Sequence, residues 1–516
     1  MHLVHDRFSP LRSGARRTRA RELPRRDPHD SRPWRPGRTL PAGRPAGTPG
    51  QGRAYAKSRP ARGLPREPGR RHAAPRAAHA GGNRCLRESA ARRLKHVTNS
   101  RALCIVGAGA AGLWAAARTA SFGVPTLLLE KTPRTGTKVL ASGGTSCNLT
   151  TTLASGPASA LFGKKGARFL RTALRVLSPM DVRERLHGLG VATVEAPLEK
   201  VFPASRRARD VRDALERWAR EAGAEIRPNA RLMELRPKNG RWSLGLETGE
   251  ELLADDVILA SGGKSYPRTG TTGDGYAWLE SLGLELVPPV PALVALSSPA
   301  GWVHELAGIA LENVRVHLTR GGKTIRRRAR PVLFTHRGLS GPGVMDLSDA
   351  IARAKENGED LPQLHLDLVP GSDREEVRRA LRKIEARRGA PLLRRALAEG
   401  LAEPLPRRVV RAVLVQAGCG GGMRTNELTR PQRHLLVESL KGLTVPVDAT
   451  LGFDRAEVTA GGLALSEVDP GTMAVRRYPG LFVCGELLDL AGPIGGLNFQ
   501  AAFATAELAA RAVSCG

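Results

Sequence analysis

Aromatic residues make up only 4% of this 516-residue chain. So few aromatic rings leave little surface for stacking nucleobases, which argues against nucleic-acid recognition by the folded part. Cysteine is also rare, and its 6 residues show neither CxxC nor metal-ligand spacing. This excludes a zinc site and a disulfide framework and favours a reducing compartment. The cysteines are Cys85, Cys104, Cys147, Cys419, Cys484 and Cys515.

Long hydrophobic runs are missing too. No apolar stretch reaches the length of a membrane span, and the N-terminal residues lack the apolar centre of a secretory signal. The sequence therefore predicts a cytoplasmic protein without a membrane span.

Acidic residues are outnumbered, with 49 Asp and Glu against 81 Lys and Arg, and the net charge is +32. The first hundred residues hold 25 of the basic and 6 of the acidic residues. Such a polar segment cannot bury enough apolar surface to offset its ordering entropy, so residues 1–98 are predicted to be a disordered basic extension. Three interpretations stay open: non-native sequence before a folded chain that begins near Val97, a plain disordered tail, or a basic arm for nucleic acid or an anionic membrane.

The remaining residues are too many for one core and predict two or three domains. They open with a complete βαβ dinucleotide unit. An apolar strand, Leu103–Val106, runs into Gly107-x-Gly109-x-x-Gly112, followed by a helix to about Ser121, a second apolar strand and Glu130. Gly107 permits a tight turn, Gly109 lets a pyrophosphate approach the backbone, and Gly112 lets helix and strand pack closely. Glu130, 18 residues after Gly112, is placed to accept a hydrogen bond from a ribose hydroxyl.

Three further glycine-bearing segments follow strands. The segment 133–150 is dense in backbone donors, which suits either a cofactor's phosphate or a plain solvent-exposed connection. The segment 256–275 is a strand that ends in Gly262 and Gly263, and ligands bind at such strand ends in open α/β sheets. The segment 479–500 is a strand, a turn at Gly485 and a glycine pair that opens the last helix. The amides of that helix favour a partial negative charge nearby, such as that of a reduced flavin ring. Another glycine cluster, 418–422, follows an arginine-studded helix and is interpreted as a turn.

Four blocks carry a resemblance to a known family: GAGAAG with LLLEK, SGGTSCNLT, ASGGKSYPRTGTTGDGY and PGLFVCGELLDLAGPIGGLNFQAA. With them the chain resembles the HI0933-like (BaiN/YhiN-type) family of FAD-dependent oxidoreductases over about 102–512. The resemblance implies an α/β fold, a Rossmann-like FAD-binding domain interrupted by a β-rich and a helical insertion. Substrates in the family are mostly unassigned; some members are described as reductases of conjugated steroid ketones and others as amine oxidases.

The family layout fits the composition of the chain. It places the FAD-binding domain at 99–285 and 445–516, a β-rich substrate-side insertion at 286–371 and a helical insertion at 372–444. The residues expected to bind FAD are Gly107, Gly109, Ala110, Ala111, Gly112, Glu130, Lys131, Lys138, Ser142, Gly143, Gly144, Asn148, Gly262, Gly263, Gly485, Glu486, Gly495, Gly496 and Asn498.

The chain departs from the family pattern in two blocks. Thr137, Thr145 and Ser146 stand where the family usually has an arginine, a glycine and a second arginine. Losing two cations is expected to weaken pyrophosphate binding or to change an anionic substrate site. Leu497 and Phe499 replace an aromatic residue and a leucine. FAD binding should survive these changes, whereas a substrate cannot be carried over by analogy.

The resemblance implies an FAD-dependent oxidoreductase that exchanges hydride between flavin N5 and a small, largely apolar substrate. The sequence holds a single GxGxxG unit, so NAD(P)H is expected at most as a transient donor. No catalytic acid or base is identified. Tyr266, His336 and Asp489 are candidates; packing is the alternative role for Tyr266 and turn stabilisation the alternative for His336. Cys147 is expected to be structural. Two other functions stay open: a flavoprotein acting on RNA, although nucleic acid is not expected to bind the folded core, and a flavin-binding sensor without turnover.

Overall fold

A computed structural model describes residues 102–515 of the chain. The predicted disordered extension, Cys85 and the interpretations attached to the first hundred residues lie outside this range. A five-stranded parallel sheet forms the centre of the first lobe. Apart from the edge strand Glu225–Arg227, its strands are nearly continuous apolar runs because both faces are covered. In spatial order the strands are Leu481–Val483, Asp256–Leu259, Leu103–Val106, Thr126–Leu129 and Glu225–Arg227.

Three helices meet around the fully buried side chain of Trp114. They are the dinucleotide helix Ala110–Ser121, the helix Ala208–Glu221 and the C-terminal helix Leu497–Cys515. The Trp114 ring lies 4.9 Å from the Phe503 ring and 5.3 Å from the Trp218 ring, measured between centroids. Aromatic pairs at these separations add to the stabilisation that burial provides.

Smaller antiparallel sheets and short helices complete the first lobe. Its sheets are Leu232–Lys238, Arg241–Leu246 and Glu251–Ala254; Thr150–Thr151, Lys200–Pro203 and Thr193–Ala196; and Leu286–Ala292 with Val458–Leu463. Its other helices are Thr137–Ala141, Ser155–Ala160, Gly163–Val176, Pro179–Gly188 and Asp274–Ser281, with 3₁₀ turns at Ser142–Thr145, Pro267–Thr269, Leu465–Glu467 and Gly485–Leu487.

A second hydrophobic core, drawn from buried residues between Leu296 and Val445, defines the second lobe. One of its sheets contains Ala310–Leu311, Val332–Thr335, Gly338–Ser340, Leu296–Ser297 and Ala449–Thr450, and the other Lys323–Ala329, Arg315–Arg320, Gln363–Asp367 and Leu443–Val445. Its helices are Gly301–Glu305, Pro342–Met345, Ser348–Glu356, Arg374–Glu385, Leu393–Gly400, Arg407–Gln416 and Arg430–Gly442, with a 3₁₀ turn at Thr425–Glu427. The β-rich and helical parts of this lobe share the one core.

The α/β class with a parallel, Rossmann-like sheet is confirmed. The glycine cluster 418–422 lies in a turn region between two helices, as predicted. Across residues 102–515, the helices are all too short or too polar to cross a bilayer. The domain boundaries drawn from the sequence stay predictions.

Candidate active site

A cavity of about 970 Å³ opens at the carboxyl ends of the central strands. Of the residues predicted to bind the cofactor, all except Gly112 and Gly263 line it. They come from segments more than 300 residues apart in the chain, so the fold brings the four motif blocks together around one space. Second-lobe residues, Ser340 and Met345 among them, form part of the same wall.

The three glycines of the dinucleotide motif have different surroundings, and each meets a different requirement of the motif. Gly107 has a φ of +101°, and a Cβ there would lie 2.7 Å from the Ala260 carbonyl oxygen. A Cβ on Gly112 would lie 1.8 Å from the Gly107 oxygen, so Gly112 serves the packing of helix on turn rather than the cavity. A Cβ on Gly109 would meet nothing within 4 Å. Of these three glycines, only Gly109 leaves the space of its missing Cβ open to a ligand.

The dinucleotide helix begins just after Gly109, and no side chain caps its N-terminus. The first amides of a helix have no partner within the helix and carry its positive dipole end. Here those amides belong to Ala110 and Ala111, which line the cavity. The arrangement is suited to a pyrophosphate, the group that FAD would place there.

Glu130 ends the second strand with its carboxylate at the cavity wall. One oxygen accepts a hydrogen bond of 2.8 Å from the Ala108 amide, and the other accepts bonds of 2.8 and 2.9 Å from the amide and hydroxyl of Thr132. A carboxylate has about four acceptor sites, so capacity remains for a ribose hydroxyl. The neighbouring Lys131 also lines the cavity, but its ammonium is paired with Asp274 at 2.8 Å.

The SGGTSCN segment turns sharply beside the cavity. Gly143 and Gly144 adopt the left-handed conformation, with φ of +54° and +62°. The side-chain oxygen of Asn148 accepts a bond of 3.1 Å from the Val201 amide, which anchors the segment to the strand Lys200–Pro203. Burial raises the pKa of the Cys147 thiol to about 12, so this sulfur is a packing group rather than a reactive thiolate.

Glu486 lies at the centre of a polar network that joins four segments. Its carboxylate accepts bonds of 2.8 Å from the Ser265 hydroxyl and the Thr459 amide, and it pairs with the ammonium of Lys138. Lys138 also donates to Ser265 at 2.6 Å. A Cβ on Gly263 would overlap the Thr459 hydroxyl, so this glycine allows close packing and does not reach the cavity. The network fixes the turn at the end of the strand Asp256–Leu259.

The glycine pair before the C-terminal helix lines the cavity, as does Asn498. The side chain of Asn498 accepts a 2.8 Å bond from the Gly492 amide and donates a 2.9 Å bond to the Gly492 carbonyl. Its amide thus closes the loop that precedes the helix. A Cβ on Gly496 would lie 2.0 Å from the Thr150 carbonyl oxygen, so only glycine fits this approach.

Of the three acid–base candidates, two line the cavity and one does not. Tyr266 and His336 line the cavity, His336 at the turn between the strands Val332–Thr335 and Gly338–Ser340. Asp489 does not line it. Its carboxylate lies 3.9 Å from Arg353, and burial raises its pKa despite that cation.

Sequence reasoning missed Glu457, which lies directly before the strand Val458–Leu463 and lines the cavity. Its carboxyl has no hydrogen-bond or ion-pair partner among residues 102–515. Solvent reaches it through the cavity, yet the surrounding protein raises its pKa, with Lys200 and Lys138 acting in the opposite direction. The available signal in the sequence was an acid directly before the glycine-containing strand Val458–Leu463.

Three cations also face the cavity: Lys200, Arg337 and Arg455. Both arginines are exposed. Within the described part of the chain none of the three has an acidic partner within salt-bridge distance. The site therefore presents positive charge to whatever enters beside the cofactor segments.

Comparison with known proteins gives a family match over residues 101–512, to the HI0933-like protein Rossmann domain. A 3-dehydro-bile acid delta(4,6)-reductase of Clostridium scindens is 30% identical over 412 residues, which cover 80% of this chain and 98% of that protein. A ribosomal RNA dihydrouridine synthase of Escherichia coli is 30% identical over 405 residues, or 78% of this chain and 95% of that protein.

Solved structures match more distantly. A 3-ketosteroid-delta4-(5alpha)-dehydrogenase from Rhodococcus jostii RHA1 aligns with a TM-score of 0.43 and 15% identity, covering 81% of this chain and 98% of that one. The family match and the dinucleotide-binding architecture support a flavin-dependent oxidoreductase with FAD as cofactor. By the match that spans most of its length, the chain belongs to the HI0933-like family.

Proposed function

We propose that this protein is an FAD-dependent reductase that delivers hydride to a carbon–carbon double bond of a small organic substrate. The observation that carries the proposal is the shared cavity: the dinucleotide turn, the cationic side chains and the unpaired carboxyl of Glu457 all line one space. A cavity near the upper end of the usual range of about 300–1,000 Å³ leaves room for more than a cofactor fragment.

FAD, when bound, supplies hydride exchange at its N5. The residues that would hold it are those of the predicted set that line the cavity. The helix N-terminus at Ala110 would face the pyrophosphate, Glu130 the ribose, and the turns at Gly143 and Gly495 the ring. The protein thereby binds and orients the cofactor, and second-lobe residues such as Met345 cover the space beside it.

The names of two relatives describe the same kind of reaction. A delta(4,6)-reductase removes carbon–carbon double bonds, and dihydrouridine carries two more hydrogens than uridine across one such bond. In both the double bond is conjugated to a carbonyl group. We extend this reaction class, and not either substrate, to the present chain. NAD(P)H is proposed as a transient donor, because the chain carries one dinucleotide fingerprint and FAD would occupy it.

We also propose a role for each of the domains predicted in the sequence analysis. Residues 99–285 and 445–516 would bind FAD, 286–371 would face the substrate, and 372–444 would support that part from the helical side. The shared core of the second lobe supports this view, because it ties the substrate-facing strands to the helices behind them.

The test begins with the visible spectrum of the purified full-length protein. We expect a yellow protein that releases FAD on denaturation, is bleached anaerobically by NADH or NADPH, and recovers its colour when a member of a panel of conjugated ketones, steroidal and non-steroidal, is added. A protein that cannot be loaded with FAD would overturn the proposal. Bleaching by an organic substrate, with no response to either nucleotide, would instead indicate an oxidase.

A second candidate, reduction of uridine in RNA, is favoured by one observation. The cations Lys200, Arg337 and Arg455 line the cavity without acidic partners in residues 102–515. Such side chains suit phosphate groups, and binding through them weakens steeply with salt. If ribosomal RNA reoxidises the reduced protein and gains dihydrouridine, while steroid ketones do neither, this candidate replaces the first.

A further inference from the structure

Among residues 102–515, Glu457 is the one carboxyl at the cavity to which neither the cofactor set nor the polar networks give a role. Its backbone is held on both sides: its own amide donates to the Leu293 carbonyl at 3.3 Å, and the Thr459 amide donates to Glu486 at 2.8 Å. Ala456 before it and Val458 after it are buried. The side chain is therefore presented to the cavity from a fixed backbone, which is what a reacting group requires.

The charged groups around Glu457 come from four elements. Lys200 lies on the strand Lys200–Pro203, Lys138 on the helix Thr137–Ala141, Asp346 beside the helix Pro342–Met345, and Arg455 on the preceding turn. Lys138 is already paired with Glu486. Its ammonium is therefore shared with another carboxylate.

The balance of these groups raises the pKa of Glu457. Desolvation is the largest influence and raises it, Lys200 and Lys138 lower it, and Asp346 raises it further. A raised pKa widens the pH range over which the carboxyl holds a proton that it can donate, and environments that raise carboxyl pKa values are a recurring feature of general acids.

We propose that Glu457 is the proton donor of the reduction, an inference that rests on the proposed function. Reduced FAD, when bound, would supply hydride from N5 to one carbon of the conjugated double bond, and the Glu457 O–H would supply a proton to the other. The N5–H bond, the O–H bond and the π bond would break, two C–H bonds would form, and the flavin would be oxidised by two electrons. The carboxylate that remains lies near Lys200 and regains its proton from solvent through the open cavity.

The test compares Glu457→Gln, which keeps the shape but loses the acid, with Asp454→Asn, an exposed neighbour outside the cavity lining. Both variants should contain FAD with an unchanged spectrum. In anaerobic single turnovers, reoxidation of the reduced protein by a conjugated ketone should be about 100-fold slower or more in Glu457→Gln and unchanged in Asp454→Asn. Glu457→Asp, an acid that is one methylene shorter, should retain part of the rate.

The pH dependence follows from the raised pKa. The wild-type rate should be full at low pH and fall as pH rises through that pKa, because the donor is then ionised. This fall of the rate with rising pH should be absent in Glu457→Gln. Infrared difference spectra give a readout independent of turnover. The C=O band of a protonated carboxyl should persist at pH values above the ordinary pKa of Glu and disappear as the pH rises further. The band should be absent from Glu457→Gln.

The outcomes separate this inference from the proposed function. An unchanged rate and pH profile in Glu457→Gln, with wild-type protein active, would overturn the proton-donor role alone. A wild-type protein that contains FAD but reduces no conjugated ketone or RNA would overturn both. Should Glu457→Gln fail to fold, the infrared band of the wild type and the rate of Glu457→Asp decide the question.

Discussion

Gly109 precedes the dinucleotide helix and Gly112 lies in its first turn, three positions later, yet a Cβ at these two glycines would have opposite surroundings. A Cβ at Gly109 would enter free space at the cavity, and at Gly112 it would lie 1.8 Å from a backbone oxygen. Gly109 also has a φ of −78°, which alanine adopts without strain. The two positions therefore separate a requirement of the ligand from a requirement of the fold.

We expect Gly109→Ala to keep the wild-type melting temperature as apoprotein but to lose FAD, since the new methyl group occupies the approach of the pyrophosphate. Gly112→Ala should lose more than about 4 kcal/mol of folding stability, because backbone cannot move aside cheaply. Thermal unfolding and FAD content of the two apoproteins check this. Equal stability losses in both variants would contradict it.

Glu130 should contribute to FAD affinity through charge-assisted hydrogen bonds. Its carboxylate is already oriented by Ala108 and Thr132, so little further ordering is needed when a ribose binds. Losing one such bond costs about 1.5–3 kcal/mol, so Glu130→Ala should raise the FAD dissociation constant by about 10- to 150-fold. Fluorescence titration of apoprotein measures it. Glu221→Ala, an exposed residue at a helix end, is the matched control and should bind as the wild type does.

At the scale of elements, Glu507 joins the dinucleotide helix to the C-terminal helix. Its buried carboxylate accepts a 2.9 Å bond from the Trp114 indole, bonds of 2.8 and 3.0 Å from Arg118, and one of 2.8 Å from Arg511. Burial by itself would raise the pKa of Glu507, but these donors outweigh it and hold the pKa below its ordinary value. The ionised form is thus the one that binds the two helices together.

Glu507→Gln should therefore lower the free energy of unfolding by about 3 kcal/mol at neutral pH, because it leaves the partly buried Arg118 without its charged partner. The lowered pKa determines how this stabilisation depends on pH. It is present above the unfolded-state pKa of about 4.3 and is lost as the pH falls through the folded-state pKa. Denaturant unfolding at several pH values should show the difference shrinking in acid. A constant difference would mean that shape rather than charge matters.

The elements that sequence predicted best are those with strong local patterns. The strands Leu103–Val106 and Thr126–Leu129 and the helix ending at Ser121 lie where the apolar runs and glycines put them. Glu457 was missed because its surroundings come from distant parts of the chain. Its position facing Lys200 depends on how the strand Val458–Leu463 lies against the rest of the lobe, which no local pattern encodes.

At the scale of the whole molecule, the described residues form two large hydrophobic cores and one small cluster around Val290, and the cavity is lined from both lobes. The family resemblance implied a β-rich and a helical insertion, and the second lobe contains both sheets and helices. The sequence could not predict that these strands and helices share one core. Strand and helix patterns show which faces are apolar but not which faces pack against each other.

The core of the first lobe runs from Leu103 to Val513, which leads to a prediction about the first hundred residues. Deleting residues 1–96 should leave FAD content, melting temperature and nucleotide-driven bleaching unchanged, because no predicted cofactor contact precedes Gly107. Deleting residues 1–106 is the matched control. It removes the strand that pairs with both Thr126–Leu129 and Asp256–Leu259, and should abolish soluble protein. If the shorter deletion already loses FAD, the basic segment is part of the functional protein. If only polyanion binding falls, steeply dependent on salt, it is a basic arm.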